Sequence, residues 1–247
     1  MKTEDDIFIS LVIPTRGLFR LELLKKCVHS FFSKAKWGNF LEAIIVTDLD
    51  DVDYRREIEA YFLENQYNVK LITRRRDLRY FNRDYMNYAT QCSQGSMIWA
   101  LNDDTEMETS GYDEIIHNTV SQFMRVNEYR NIYILTDDST HTTEDRNIIY
   151  DKGCCFPLIS RLAAEKINGL FPQEINIWGA DIALFKIFQG VPNSIIDLSK
   201  EIKLAHHSHH NGSREKDETS ESGYKHTNRS SLTDQENMKY IRPLWSK

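Results

Sequence analysis

The amino-acid sequence predicts an α/β fold, a mixed and mainly parallel sheet flanked by helices on both faces, and three observations carry that prediction. Short apolar runs recur without polar alternation, at Phe8 to Ile13, Ala43 to Thr47, Val69 to Ile72 and Ser96 to Leu101, the pattern of strands covered on both faces. Amphipathic segments separate the first three, giving the β-α-β-α-β alternation that parallel pairing requires, because parallel strands need crossover connections. Several runs also end in residues suited to chemistry, Pro14-Thr15-Arg16, Asp48 and Asn102-Asp103-Asp104, and ligands of such sheets gather at the carboxyl ends of the strands.

Taken in order, the run Phe8-Ile9-Ser10-Leu11-Val12-Ile13 is stopped by Pro14, which cannot donate to a ladder, and the chain turns at Thr15-Arg16-Gly17. Leu21, Leu24, Val28 and Phe31 then recur at helical spacing. The second strand ends at Asp48, and a helix from about Tyr54 to Glu64 leads to the third strand. A helix from Asn82 to Cys92, closed by Gly95, precedes the strand that carries the acidic triplet, and another runs from Asp113 to Val126.

The second half is less regular. It predicts a strand at Asn131 to Leu135, an acidic and Thr-rich loop to Asp145, the run Gly153 to Ile159 and a short helix from Arg161 to Ile167. Trp178-Gly179-Ala180-Asp181 opens a helix through Phe188; Ile195 to Leu198 and Ile202 to Ala205 read as late strands, the latter running into His206-His207-Ser208-His209-His210. From Asn211 to Glu236 the chain has too little apolar surface to order itself. Tyr240 to Trp245 is an apolar end able to dock on the body. No internal repeat is visible, and nothing sets an oligomeric state.

With 247 residues and a hydrophobic fraction of 40%, the chain holds a sizeable core in one large domain. A formal net charge of -6 and a pI near 5.8 argue against a nucleic-acid binder, so any anion site must be focal. Cys27, Cys92, Cys154 and Cys155 have neither zinc-site spacing nor the density of a disulfide scaffold, which points to a reducing cytoplasm. No signal peptide or membrane-length apolar stretch is visible. The sequons Asn211-Gly212-Ser213 and Asn228-Arg229-Ser230 are accordingly read as chance matches.

The triplet Asn102-Asp103-Asp104 is where the sequence speaks most directly of chemistry. Neighbouring carboxylates repel and are costly to desolvate, so a strand end that carries them needs a cation or donors, and a divalent cation holding a phosphate is the expected arrangement. A cap for a following helix is the plainer alternative. The basic run Arg74-Arg75-Arg76, with Arg79 and Arg83, offers guanidinium forks suited to a diphosphate or else forms a solvated face.

With these residues assembled, the chain resembles the GT-A nucleotide-sugar glycosyltransferases, most closely the inverting family 2 type. Four features stand in the family's order: Ile13-Pro14-Thr15-Arg16, Val46-Thr47-Asp48, the stretch Asn87 to Ile98 that keeps the Asn-helix-Gly-strand approach to the metal motif, and Trp178-Gly179-Ala180-Asp181. There are departures: Asn102 replaces the first Asp of Asp-x-Asp, Met86 the usual Arg before Asn87, and Ala180 the Glu before Asp181.

The resemblance implies a metal-dependent hexosyltransferase of glycan biosynthesis, with Mn²⁺ or Mg²⁺, a UDP- or GDP-sugar donor, and a glycan or other hydroxyl acceptor. It implies residues 1–210 as one GT-A domain, with a nucleotide-binding half at about 1–110 and an acceptor half at about 111–210. The flexible polar tail 211–247, carrying Arg214, Lys216 and Lys225, is then a lid over the nucleotide or a linker. Asp104 with His206 or His207 would ligate the metal, and Pro14, Thr15, Arg16, Asp48, Arg79, Arg83 and Asp103 would bind the donor. Asp181 would be the catalytic base or the cap of its helix, and Trp178 would stack on the acceptor or pack in the core. Cys154 and Cys155 are read as small packing residues.

Two other readings remain open at this level. A sugar-1-phosphate nucleotidyltransferase shares a related core but usually opens with a Gly-rich loop and a Lys, and Pro14-Thr15-Arg16-Gly17 has too few glycines. A degenerate fold could bind sugar nucleotides without catalysis.

Overall fold

A computed structural model describes residues 8–128, 130–139, 153–176, 179–207 and 231–245. Seven strands form the main sheet: β1 (Ile9–Pro14), β2 (Leu41–Asp48), β3 (Val69–Arg74), β4 (Met97–Ala100), β6 (Tyr133–Leu135), β7 (Leu158–Ser160) and β8 (Ile195–Asp197). Their order is β3-β2-β1-β4-β7-β6-β8. Parallel pairing joins β3, β2, β1 and β4, while β7 runs antiparallel to both β4 and β6, and β6 pairs parallel with β8. The expected mixed, mainly parallel sheet is observed.

Continuous apolar runs are needed because alternate residues of each strand feed two cores. Leu11, Ile13, Ala43, Ile45, Met97 and Trp99 pack beneath α1 (Leu21–Lys34), α2 (Val52–Asn65) and α4 (Tyr112–Val126). Val12, Ile44, Val46, Ile98 and Ala100 pack on the opposite face with α5 (Arg161–Lys166) and α6 (Ala180–Gln189).

The approach to β4 is less regular than a plain helix: a π-helical segment at Asn82–Asn87 leads into α3 (Tyr88–Cys92). Asn87 is buried there, and its Oδ1 accepts from the amides of Leu170 and Phe171 at 2.8 and 2.9 Å, while its Nδ2 donates to the Phe171 carbonyl at 2.9 Å. Gly169, at φ 145°, makes that approach feasible, since a Cβ on it would lie 2.3 Å from Asn87 Cγ. The Asn of the sequence motif is therefore a clamp between two chain segments.

Two features differ from the sequence reading. The run Gly153 to Ile159 is strand only from Leu158. A separate two-stranded ladder joins β5 (Thr105–Met107) to β9 (Leu204–His206), with Thr105 opposite His206. The apolar end expected to dock does so, as a helix, α7 (Asp234–Trp245), whose Tyr240, Ile241 and Leu244 are buried and whose Trp245 Nε1 donates to the Gly190 carbonyl at 3.0 Å. The apolar spacing of those side chains explains the docking, because burying one face offsets the ordering cost that the polar stretch before it cannot meet. Residues 208–230 lie outside the described residues, and with them the lid expectation.

Candidate active site

Parallel strands deliver β1, β2, β4 and β6 ends to one sheet edge, and the antiparallel β7 brings its opposite end there with Cys155 and Phe156. At the end of β4 the triplet divides. Asn102 is exposed, whereas Asp103 and Asp104 are buried. Arg20, in the short turn after Gly17, meets both: its Nε donates to Asp103 Oδ2 at 2.7 Å, its Nη2 bonds Asp103 Oδ1, and the same nitrogen reaches Asp104 Oδ2 at 3.2 Å. The Thr15 hydroxyl donates to Asp103 Oδ2 at 2.6 Å and contacts the Tyr54 hydroxyl at 2.5 Å. Because Thr15 has a single proton to give, Tyr54 is the donor in that second bond. Burial and then the neighbouring Asp104 push Asp103 up, and the Arg20 fork pulls it back.

The β5–β9 ladder sets an imidazole beside the second carboxylate. His206 Nε2 lies 3.5 Å from Asp104 Oδ1, its ring edge-on to Phe156 at 4.8 Å between centroids. His207 takes a different place: its amide donates to the Asp104 carbonyl at 2.8 Å, but its ring pairs with Glu106 at 3.0 Å. Asp104 and His206 offer one hard oxygen donor and one imidazole, a set that suits Mn²⁺ when phosphate oxygens and water complete the shell. Among the described residues no three His, Cys, Asp or Glu side chains converge on one metal position.

Along the same edge, Asp48 ends β2 and is buried. Tyr85 donates its hydroxyl to Asp48 Oδ1, with Arg16 Nε and Arg76 Nε at 3.6 and 3.8 Å from Oδ2. Burial raises its pKa, against the Tyr85 bond and Arg16. Pro14 closes β1, and the turn after it is fixed by the Gly17 amide donating to Asp51 Oδ2 at 2.6 Å, with Gly17 at φ 79°. Pro14, Thr15, Arg16, Asp48, Asp103, Asp104 and His206 therefore gather at one edge. Arg79 and Arg83 do not join them in direct contact: Arg79 pairs with Asp77 and Arg83 with Asp84, beyond the end of β3.

On the other half of the edge, Asp181 occupies the first turn of α6 behind Gly179 at φ 82°. Burial pushes its pKa up to about 6, against bonds from the Ile182 amide and its own, with the nearby Asp138 raising it and the Cys155 thiol bond lowering it. The Cys155 amide in turn donates to Asp138 Oδ2. Cys154 is buried, and burial followed by the Asp138 charge pushes its thiol up to about 12, so it stays protonated. Trp178, His209 and His210 lie outside the described residues.

Two participants escaped the sequence reading, Arg20 and Asp138. Arg20 gives no local sign of its role, since its partner carboxylates are 83 and 84 positions away. Asp138 did carry a signal: Asp137-Asp138 follows β6 much as Asp103-Asp104 follows β4.

No family model and no curated protein matches the chain. Solved structures do. S. aureus TarS 1-349 superposes with a TM-score of 0.58 at 16% identity over 81% of this chain and 60% of that one. The same TarS fragment in complex with UDP-GlcNAc gives 0.60 at 15% over 95% and 70%. The mannosyltransferase PcManGT from Pyrobaculum calidifontis, in complex with GDP-Man and Mn²⁺, gives 0.56 at 11% over 80% and 56%. The chain thus has the expected GT-A fold. It spans about 60% of the TarS fragment first named, and somewhat less of the mannosyltransferase.

Proposed function

We propose that this chain is a metal-dependent glycosyltransferase that moves a sugar from a nucleoside-diphosphate sugar, UDP- or GDP-linked, to an acceptor hydroxyl with inversion. One observation carries the reading. The buried Asp104 with His206, the Thr15–Asp103–Arg20 cluster and Asp48 sit on adjoining strand ends of a fold shared with proteins solved with UDP-GlcNAc and with GDP-Man and Mn²⁺.

In this reading Asp48 meets the base and Pro14-Thr15-Arg16 lines the nucleoside. Asp103, fixed by Arg20 and Thr15, takes the ribose. Asp104 and His206 hold the divalent cation, with His207 buttressing from Glu106. When bound, that cation supplies Lewis-acid neutralisation of the departing diphosphate. Asp181 accepts the acceptor hydroxyl's proton as the oxygen bonds to the anomeric carbon, and the bond to the diphosphate breaks with its electron pair leaving on the phosphate oxygen. Attack opposite the leaving group inverts the anomeric configuration. A carboxylate titrating near 6 is largely ionised at neutral pH yet more basic than an ordinary aspartate, which suits a general base.

The test is a thermal-shift series with UDP- and GDP-sugars, with and without Mn²⁺, followed by turnover in EDTA. A donor that raises the midpoint only with metal supports the reading; full turnover in EDTA sinks the metal assignment. A second reading, a sugar-nucleotide-binding protein without transfer, has one observation in its favour: Arg20 already meets both carboxylates. Release of UDP or GDP from a sugar donor removes it. No helix among the described residues is long and apolar enough to cross a membrane; a cytoplasmic setting remains part of the proposal.

A further inference from the structure

Beyond the carboxyl end of β3 lies an open cavity of about 510 Å³ lined by Thr73, Asp77, Tyr80 and Asp84 together with five arginines, Arg74, Arg75, Arg76, Arg79 and Arg83. Five guanidinium groups within ten residues of a chain whose net charge is -6 oppose the general electrostatic balance and repel one another. Local partners only partly offset this. Arg79 donates to both oxygens of Asp77 at 2.9 and 2.7 Å, and Arg83 to both oxygens of Asp84 at 2.7 and 3.1 Å. Tyr80 and Tyr88 present ring faces to Arg83 and Arg74 at 4.0 and 4.1 Å, which fixes the planes of those two guanidinium groups. The Arg75 side chain is exposed, and no ion pair to it is seen among the described residues. Solvent-exposed pairs of this kind contribute little, so an incoming anion can displace Asp77 or Asp84 at small cost.

The sheet order separates this cavity from the proposed metal position. Three interstrand steps lie between β3 and β4, on the order of 14 Å at about 4.8 Å per step, with the Asp48 strand between them. A donor whose diphosphate sits at Asp104 cannot also place that diphosphate here. We propose that the arginine cavity is a second anion site, taking a phosphate group that belongs to a molecule other than the sugar-nucleotide donor. This rests on the donor location given above. Guanidinium forks held flat by tyrosine faces suit a phosphate better than a single carboxylate, because each fork can give two parallel N–H bonds to a tetrahedral anion.

Calorimetry on the full chain tests this, with inorganic phosphate and glycerol 3-phosphate as probes, each titrated alone and in the presence of saturating UDP and Mg²⁺. The expected result is binding that persists with UDP present, weakens as ionic strength rises, and falls at least tenfold in the double variant Arg79→Glu/Arg83→Glu. Arg79→Lys/Arg83→Lys should retain part of the affinity, and matching thermal midpoints confirm that both variants fold. Tighter binding of glycerol 3-phosphate assigns the phosphate to a hydroxyl-bearing acceptor, and tighter binding of inorganic phosphate to a free anion. The proposal is overturned if UDP displaces both probes or if the Glu variant binds them as the native chain does. Failure of both UDP and GDP to bind, with probe binding intact, would instead remove the donor reading and leave the anion site standing.

Discussion

The two halves of the carboxyl edge handle buried charge in opposite ways. On the β1–β2–β4 side the carboxylates meet cations and hydroxyls directly, Asp103 with Arg20 and Thr15, Asp48 with Arg16 and Tyr85. On the β6–α6 side Asp181 has backbone amides and a thiol for company, and a second carboxylate, Asp138, raises its pKa. The first arrangement fixes geometry in advance of a ligand. The second keeps a group that takes up and gives back a proton close to neutrality. The proposed transfer needs both, the one to hold an anionic donor and the other to accept the acceptor's proton.

The largest expected effect falls on the second half. Asp181→Asn removes the proposed proton acceptor and should lower kcat by about 10²- to 10⁴-fold while calorimetric UDP affinity stays within twofold; unchanged kcat would end the contrast. The same variant has a stability signature. Asp181 titrates at about 6 in the folded chain against an ordinary value of 3.8, so the folded state binds the proton more tightly. Its contribution to stability is present at low pH and is lost as pH rises through about 6. Asp181→Asn should therefore gain on the native chain in denaturant midpoint from about pH 4 to about pH 6 and hold that gain above it. A difference independent of pH would count against the raised titration.

Next comes the first half. Arg20→Ala strands two buried carboxylates, and breaking a buried pair costs about 3–5 kcal/mol, read as a lower midpoint in urea unfolding at pH 7. Arg20→Lys restores charge without the fork and should recover only part. A smaller effect is expected for Asp104→Ala, which should cut metal-dependent UDP affinity by about 10- to 100-fold and leave metal-free binding as it was. The smallest is Asp138→Asn. Removing that neighbouring charge should move the acid limb of the kcat profile to lower pH, with turnover otherwise reduced only modestly; an unmoved limb would show that Asp138 does not bear on Asp181.

The sequence reveals strands and their ends more readily than the partners those ends find. β1, β2 and β4 are legible because burial on both faces demands unbroken apolar runs, and Pro14, Asp48 and Asp103 mark their ends; the edge strand β3, half exposed, shows only as a short β-branched run. β5 and β9 are harder to place: each has three residues, and their pairing depends on a partner about a hundred positions away. Arg20 looks like any basic residue in a turn until the fold brings Asp103 beneath it. Asp138 merges with an acidic loop, whose composition hides the strand end it marks. Asn87 is legible as a motif but not as a clamp, since Gly169 lies on a separate segment.

The small β5–β9 ladder also sets an order of events for a growing chain. β1 through β4 and the carboxylates after them are synthesised well before His206, whose place beside Asp104 depends on pairing across that long separation. Such distant contacts close late, because loop entropy must be overcome first. A chain still emerging can therefore carry the carboxylates of that edge before His206 stands beside Asp104, and under the proposed function the candidate cation pair is completed among the last steps of assembly.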